Sequence, residues 1–476
     1  MKTVSFRLKP HAFLLTLFFL ASLFLSSPSA LHSQWEPDVR LTFDNSSSYT
    51  SISNARCISA VDGGLLHVIW WEARDGNYEI YYKRSTDAGQ SWSPDARLTY
   101  ALYDSDWPSV GAWGSWVHVV WQDCRDGDKA IYYKRSSDAG IGWGSDRRLS
   151  DVPDSAWNPS VSVAGLLVHV VWESSRSGDD EIYYKRSSDA GLTWSPDLRL
   201  TVDTCDAGFP SVFAADTLVH VVWWNQIGPT NSEIFYKRST DAGLSWSADQ
   251  RLTADSGFSI TACVAASGPL VHVVWRDSRD GNEEIYYKRS TDYGVSWGPD
   301  VRLTFDSNFS WNPSLAVSGP LVHLAWHDYG AWRIRYKRST DRGLSWEPDT
   351  QLTIAGHSRY PSVSACEGAV HAVWFDSRDG NSEIYYKRNP TGNSGVEENV
   401  VLSPVSRLQL SISPNPFTSF TTVPGHSSER FTLYDISGRR VGVYRGDRIG
   451  EGLAPGVYFI QSMERKDGLA KIVKIR

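Results

Sequence analysis

Aromatic side chains carry the clearest chemical potential in this 476-residue chain, which holds 22 tryptophans, and their spacing separates them into two groups. Fourteen recur at fixed intervals. Eight do not: Trp71, Trp107, Trp113, Trp116, Trp157, Trp224, Trp311 and Trp332. Phe209, Phe258 and Tyr360 stand in places like those of Trp107, Trp157 and Trp311. A flat apolar ring stacks on the C–H surface of a sugar or an extended chain, so unrepeated rings around a depression suit saccharide binding; the alternative is that they wedge structural units together. Asn225-Gln226-Ile227-Gly228-Pro229 and His327-Asp328-Tyr329-Gly330-Ala331-Trp332 also break a loop pattern that other segments keep, which marks them for contacts.

The recurring residues read differently. Arg74, Arg125, Arg176, Arg279 and Arg378 hold one place in a WxDxRDGNxEI segment, and an arginine made five times over suits a loop brace paired with Asp or backbone carbonyls. His67, His118, His169, His220, His272, His323 and His371 share one strand position beside a buried tryptophan, so they read as structural. Cys57, Cys124, Cys205, Cys263 and Cys366 lack CxxC or Cys/His zinc spacing and read as small buried fillers. No calcium loop of DxDxDG type appears, so neither a metal nor a cofactor is expected. The net charge of -7 is well mixed, which argues against a nucleic-acid stripe.

The elements that must position these residues come from a repeat. The box SxDxGx(S/T)W centres on Asp87, Asp138, Asp189, Asp241, Asp292 and Asp341, spaced 51, 51, 52, 51 and 49 residues apart, with Gly142 in place of Ser or Thr in the second copy. Each period contains four strand signals: a small-residue strand near Pro-Ser-Val, a strand ending (V/L)HxxW, an alternating Glu-Ile-Tyr-Tyr-Lys-Arg strand, and a run ending in Arg-Leu-Thr or its like. Four short antiparallel strands per period make the blade of a β-propeller. The second strand ends at Trp70, Trp121, Trp172, Trp223, Trp275, Trp326 and Trp374, which predicts seven blades. Blade seven lacks a fourth strand, and Trp35 to Thr42 is a fourth strand with no blade before it, so the two are expected to pair and close the ring. All boxes then lie on one face; the unrepeated aromatics other than Trp113 and Trp116 lie on the other.

These boxes resemble the Asp boxes, or BNR repeats, of sialidase-type β-propellers, over about 350 residues. The resemblance implies a structural role for the box aspartates and an active site on the opposite face. Sialidases hold a substrate carboxylate with three arginines, so it also implies that Arg74, Arg125, Arg279 and Arg378 are candidates for a ligand clamp. Asp328 and Tyr329 are the residues that stand as acid and nucleophile. The chain departs from that family in its seven blades and in lacking an Arg-Ile-Pro motif.

The ends differ in composition. Residues 1–30 carry Lys2, Arg7 and Lys9, an apolar run and small residues up to Ala30, the pattern of a secretory signal peptide; the other apolar stretches are short, so no transmembrane helix is expected. A polar linker at 391–407 separates the propeller, residues 31–390, from residues 408–476. There Ser413-Pro414-Asn415-Pro416-Phe417, Leu433 to Arg440, Leu453 to Tyr458 and Lys471 to Arg476 read as a small β-sandwich resembling the type A sorting domain of the type IX secretion system. That resemblance implies export to the medium or outer-membrane surface of a Gram-negative, Bacteroidetes-like bacterium. The expectation is a monomeric, non-catalytic propeller that binds glycan or a surface protein and engages the secretion machinery, with an exo-acting glycoside hydrolase of sialidase type as the alternative.

Overall fold

Alternation of apolar and polar residues over four short segments leaves each period able to bury both faces only against its neighbours, and the chain does so in a ring. Blade two shows the pattern: strands Ser105–Trp113, Trp116–Asp123, Ala130–Ser136 and Arg147–Arg148 are hydrogen-bonded in that order. Blades three to six repeat it. Blade seven consists of Ser358–Cys366, Ala369–Asp376 and Glu383–Asn389, completed by Val39–Arg40, with Val39 opposite Tyr386 and Arg40 opposite Tyr385. The ring is therefore a closed seven-bladed β-propeller, sealed by its first described strand. In this computed structural model the described residues are 35–51, 56–61, 63–151, 155–202, 205–228, 231–366, 368–392, 418–423, 427–435, 440–462 and 469–474. The segment read as a signal peptide, most of the 391–407 linker and Ser413 to Phe417 lie outside them.

The third strand uses almost every side chain of its Glu-Ile-Tyr-Tyr-Lys-Arg run to join blades. In blade one, Ile80 is fully buried and the Tyr81 ring stacks on Trp70 at 6.0 Å. Lys83 donates back to the Leu41 carbonyl of blade seven and Arg84 donates forward to the Ala139 carbonyl of blade two. The second tyrosine does most. In all seven blades its hydroxyl pairs with the Nδ1 of the second-strand histidine at 2.7 Å. Its ring takes the edge of the next blade's box tryptophan, as Trp143 on Tyr82 at 4.9 Å, and Trp35 completes the set on Tyr336 at 5.0 Å. The box tryptophans are half-buried between blades.

The box shapes this contact. Asp87 accepts from Ser85 Oγ at 2.7 Å, Ser91 N at 2.8 Å and Ser91 Oγ at 2.5 Å, and the Ser91 hydroxyl chiefly draws its pKa down to about 2. The loop so pinned carries Ala88 and Gly89 at φ 56° and 86°. Only glycine fits the second position, since a Cβ on Gly140 would lie 1.9 Å from the Tyr82 hydroxyl.

No helix among the described residues is long and apolar enough to cross a membrane. The chain divides into two compact units, 1–396 and 397–476. The second contains Arg430–Asp435, Arg440–Arg445, Gly456–Ser462 and Leu469–Lys474 in one antiparallel sheet whose strand order is second, first, third, fourth. Phe431, Leu433 and Ile460 pack with Val423 and Ile449, which flank or form a separate bridge between Thr421 and Ile449. Among the described residues this is one four-stranded sheet and a bridge. All five cysteines are free, Cys57 and Cys263 buried and the other three half-buried.

Burial lowers the pKa of six of the ring histidines, to about 3 for His118, His169 and His272 and about 4 for His67, His220 and His371. A base depressed in the folded state contributes stability that is complete above the unfolded pKa of about 6.5 and is lost as pH falls toward the folded value. The melting temperature of the full chain should therefore fall continuously from about pH 6.5 to 4, with several protons taken up on unfolding. A melting temperature that stays flat over that window would contradict the role assigned to these histidines.

Candidate functional site

On the face opposite the boxes, one position breaks the symmetry in every blade. The residue that follows the invariant second-strand tryptophan is Trp71, Gln122, Glu173, Trp224, Arg276, His327 and Phe375 in turn. Each pairs across to the first strand, with Tyr49, Asp106, Trp157, Gly208, Ile260, Trp311 and Arg359 respectively. A β-bulge follows each of these first-strand residues in blades two to seven. Its central residue, Trp107, Asn158, Phe209, Thr261, Asn312 or Tyr360, is held at φ between 48° and 53°. Such αL residues cost about 1–2 kcal/mol each outside glycine, and a bulge re-aims the side chains beside it relative to an ordinary strand. The bulge also corrects the sequence-based grouping. Trp107, Phe209 and Tyr360 share the αL position, Trp157 and Trp311 lie one residue earlier, and Phe258 stands exposed before its strand.

Blades six, seven and one gather these residues into a continuous aromatic band. Tyr329 stacks against Trp311 at 4.1 Å and Trp332 at 4.4 Å, and Trp332 meets His357 at 5.5 Å. The band continues through Tyr360, Phe375, Tyr49 and Trp71 with spacings of 5.3, 5.2 and 4.6 Å. His327 lies beneath it, 1% exposed, with neither ring nitrogen hydrogen-bonded and its pKa pushed down to about 3 by burial and then by Arg359. Two guanidiniums lie on the rings: Arg359 over Trp332 at 3.9 Å, and Arg276 over Trp311 at 4.9 Å. Arg276 has Glu283 at 3.3 Å, whereas Arg359 has no ion pair among the described residues. Phe209 and Trp224 form a separate pair at 6.4 Å; among the described residues Trp107 and Trp157 join no ring cluster.

The opposite arc is polar. Glu173 is buried and accepts from Trp157 Nε1, from Asn158 Nδ2 at 3.0 Å and from Phe209 N at 3.1 Å. No cation faces it among these partners, and burial raises its pKa to about 7. Asp106, hydrogen-bonded to Gln122, is raised to about 6 by burial as well.

The arginines read as loop braces, and offered by the resemblance as clamp candidates, are occupied. Arg279 bonds Asp277 at 2.8 and 2.6 Å and Asp300 at 2.8 Å, and reaches Asp255 at 2.7 Å. Arg125 ties Asp123 to Asp146, Arg378 ties Asp376 to Asp38, and Arg74 ties Glu72 to Asp95 and Asp44. Each also lies over a third-strand tyrosine at 4.2–4.4 Å. They brace loops, so their guanidinium edges are not presented to a ligand. Asp328 belongs to the same framework: it is 1% exposed, accepts from Ala331 N at 3.1 Å and pairs with Arg335 at 3.1 Å. It ends its strand at the register where Asp123, Asp277 and Asp376 end theirs, so the acid role is not supported by its position; Tyr329 is half-buried within the band. Arg276, Arg359 and Glu173 escaped the sequence reading, in which His327 is only the start of an irregular loop. Aligning the repeats on the second-strand tryptophan exposes Glu173, Arg276 and His327 as part of a column in which almost every blade differs.

The fold and this face define a β-propeller whose repeated positions hold the ring and whose variable positions surround its axis. No family model matches the chain, and no curated protein does either. Among solved structures, the polysaccharide lyase Uly1 shares the fold at TM-score 0.53 with 9% identity, over 75% of this chain and 99% of that one. A Trypanosoma rangeli sialidase in complex with sialic acid aligns at TM-score 0.45 and 11% identity, over 75% of this chain and 59% of its own length. A protein of unknown function from Dyadobacter fermentans aligns at TM-score 0.43 and 14% identity, over 74% and 98%.

Brace and band arginines should separate in a stability test. Arg279→Met leaves Asp277 buried without its cation and should cost about 2–4 kcal/mol in urea unfolding, whereas Arg359→Gln should cost less than about 1 kcal/mol. Equal losses in the two variants would show that Arg359 is structural too.

Proposed function

We propose that this chain is a secreted or surface-displayed propeller that binds a glycan on the aromatic band of blades six, seven and one. The observation that carries the reading is the stack of Trp311, Tyr329 and Trp332, in which Tyr329 and Trp332 come from a loop the other blades do not repeat, edged by the guanidinium of Arg359. Aromatic faces supply stacking area for sugar rings, and the flanking cation supplies hydrogen-bond donors to hydroxyl or carboxylate oxygens. Trp71 and Tyr360 extend the surface beyond one sugar ring, and Trp224 with Phe209 offers a separate aromatic pair. The fold neighbour that acts on a polysaccharide is consistent with this class of ligand and is not the ground for it.

The binding reading is preferred over an exo-acting glycoside hydrolase of sialidase type because Asp328 is held as an acceptor by Arg335 and Ala331 and the four clamp candidates are saturated with carboxylates. Residues 1–30 as a leader and 408–476 as a type IX sorting domain would place the ring outside a Gram-negative, Bacteroidetes-like cell, acting as a monomer that meets glycan or a surface protein.

Glycan-array screening of the full chain, followed by calorimetry on the best saccharide, tests the reading. Trp311→Ala and Tyr329→Ala should each weaken binding about tenfold or more, equivalent to about 1.4 kcal/mol, while Arg125→Gln leaves the affinity of the folded protein unchanged. Unchanged affinity in both band variants would remove the site. Turnover of an aryl glycoside that vanishes in Tyr329→Phe would replace binding by catalysis.

A further inference from the structure

The axis of the ring holds a second feature, reached from the other face. A cavity of about 910 Å³ runs along it, walled by the first strands of all seven blades through residues such as Val110, Val163, Ala214, Ala265, Leu315 and Val363. Its rim is formed where those strands turn into the second, at Trp113, Gly165, Thr217 and Cys366, so it opens on the side of the boxes. None of the aromatic band lines it. The wall combines valine, alanine and leucine side chains with the hydroxyls of Ser59, Ser162, Thr217 and Ser364, and one cation lies in it: Arg56.

Arg56 is there because blade one departs from the repeat. Its first strand is split into Ser48–Tyr49 and Ile58–Val61, and seven residues, 50–56, separate Tyr49 from Cys57 where only 107–108 separate Asp106 from Ser109. The extra length puts an arginine where the other blades carry Pro108, Pro159, Pro210, Ala262, Pro313 and Pro361. Its side chain crosses the axis. Nη1 reaches Ser162 Oγ of blade three at 3.4 Å, Nη2 reaches the Val264 carbonyl of blade five at 3.3 Å, and the guanidinium lies 5.3 Å from the Phe213 ring of blade four. Both hydrogen bonds are long, neither acceptor is charged, and no carboxylate pairs with Arg56 among the described residues; Asp216 at the rim is exposed and makes no ion pair with it. A guanidinium has five N–H donors in a planar fork matched to a carboxylate, and an enclosed charge without a counter-ion is costly.

We propose that the deep end of this axial cavity binds a monocarboxylate with a short apolar body, Arg56 serving as its counter-ion and the valine and alanine wall enclosing the alkyl part. The charge and the valine, alanine and leucine part of the wall each call for one half of such a ligand. An inorganic anion would leave the wall unused, and a neutral alcohol would leave the guanidinium unpaired.

Calorimetric titration of the full chain with hexanoate, hexanol and chloride tests the assignment. Hexanoate should bind saturably at one site per chain, hexanol and chloride at least tenfold more weakly, and Arg56→Gln should weaken hexanoate at least tenfold. Ala265→Phe, which fills the lumen and keeps Arg56, should also weaken hexanoate. With no variant at all, wild-type affinity should fall as pH drops through the carboxyl pKa of hexanoate. Absence of saturable heat, equal affinity for hexanol or chloride, or undiminished binding in either variant would overturn the proposal.

Discussion

A tyrosine hydroxyl seated on a glycine of the next blade is the contact on which the ring depends. The hydroxyl is pinned to a histidine of its own blade, the ring receives the neighbouring box tryptophan on its face, and the glycine opposite has no room for a Cβ. Each partner fixes one coordinate of the interface: the histidine sets height, the tryptophan sets rotation, the glycine sets approach. Because the Asp carboxylate holds the loop that carries both glycine and tryptophan, the box is the socket and the tyrosine the peg. Six joints have this form; the seventh, at Tyr336, receives its tryptophan from outside the last blade, and Trp35 supplies it with the strand Val39–Arg40.

A frame this repetitive leaves few places where recognition can be written. Positions used by the joints and by the arginine braces are occupied in nearly every blade, so a change there is felt as instability. The freedom lies at the inner edge of the opposite face, in the residue after the second-strand tryptophan and the one across from it. The bulge just beyond keeps an αL residue at about 1–2 kcal/mol of backbone cost, which the closed ring can absorb. Aromatic and cationic side chains collect on one arc of that edge and carboxylates with raised pKa on another, so the face is polarised although the fold beneath it is nearly symmetric.

The ring was legible in the sequence because its period, strand signals and displaced fourth strand are local patterns copied many times. Structural histidines were legible for the same reason. What escaped depends on register or on distance. Trp157 and Trp311 look equivalent to Trp107 until the bulge shifts them by one residue, and the brace read for Arg279 gains its particular partners, Asp255, Asp277 and Asp300, only in the fold. Asp328 stood out only because the loop after it is unusual; its own position is a repeated one. Arg56 lies in a stretch with no repeat counterpart, and its reach to blades three and five is a property of the closed ring alone.

The central claim is that repeated positions build the wheel and unrepeated ones recognise. Hydrogen-exchange mass spectrometry of the full chain with and without a bound oligosaccharide tests it most directly. The account predicts new protection confined to peptides containing residues 309–311, 327–332 and 357–360, with the box turns of all blades unchanged. Protection spread evenly over the seven blades, or centred on the box turns, would contradict it.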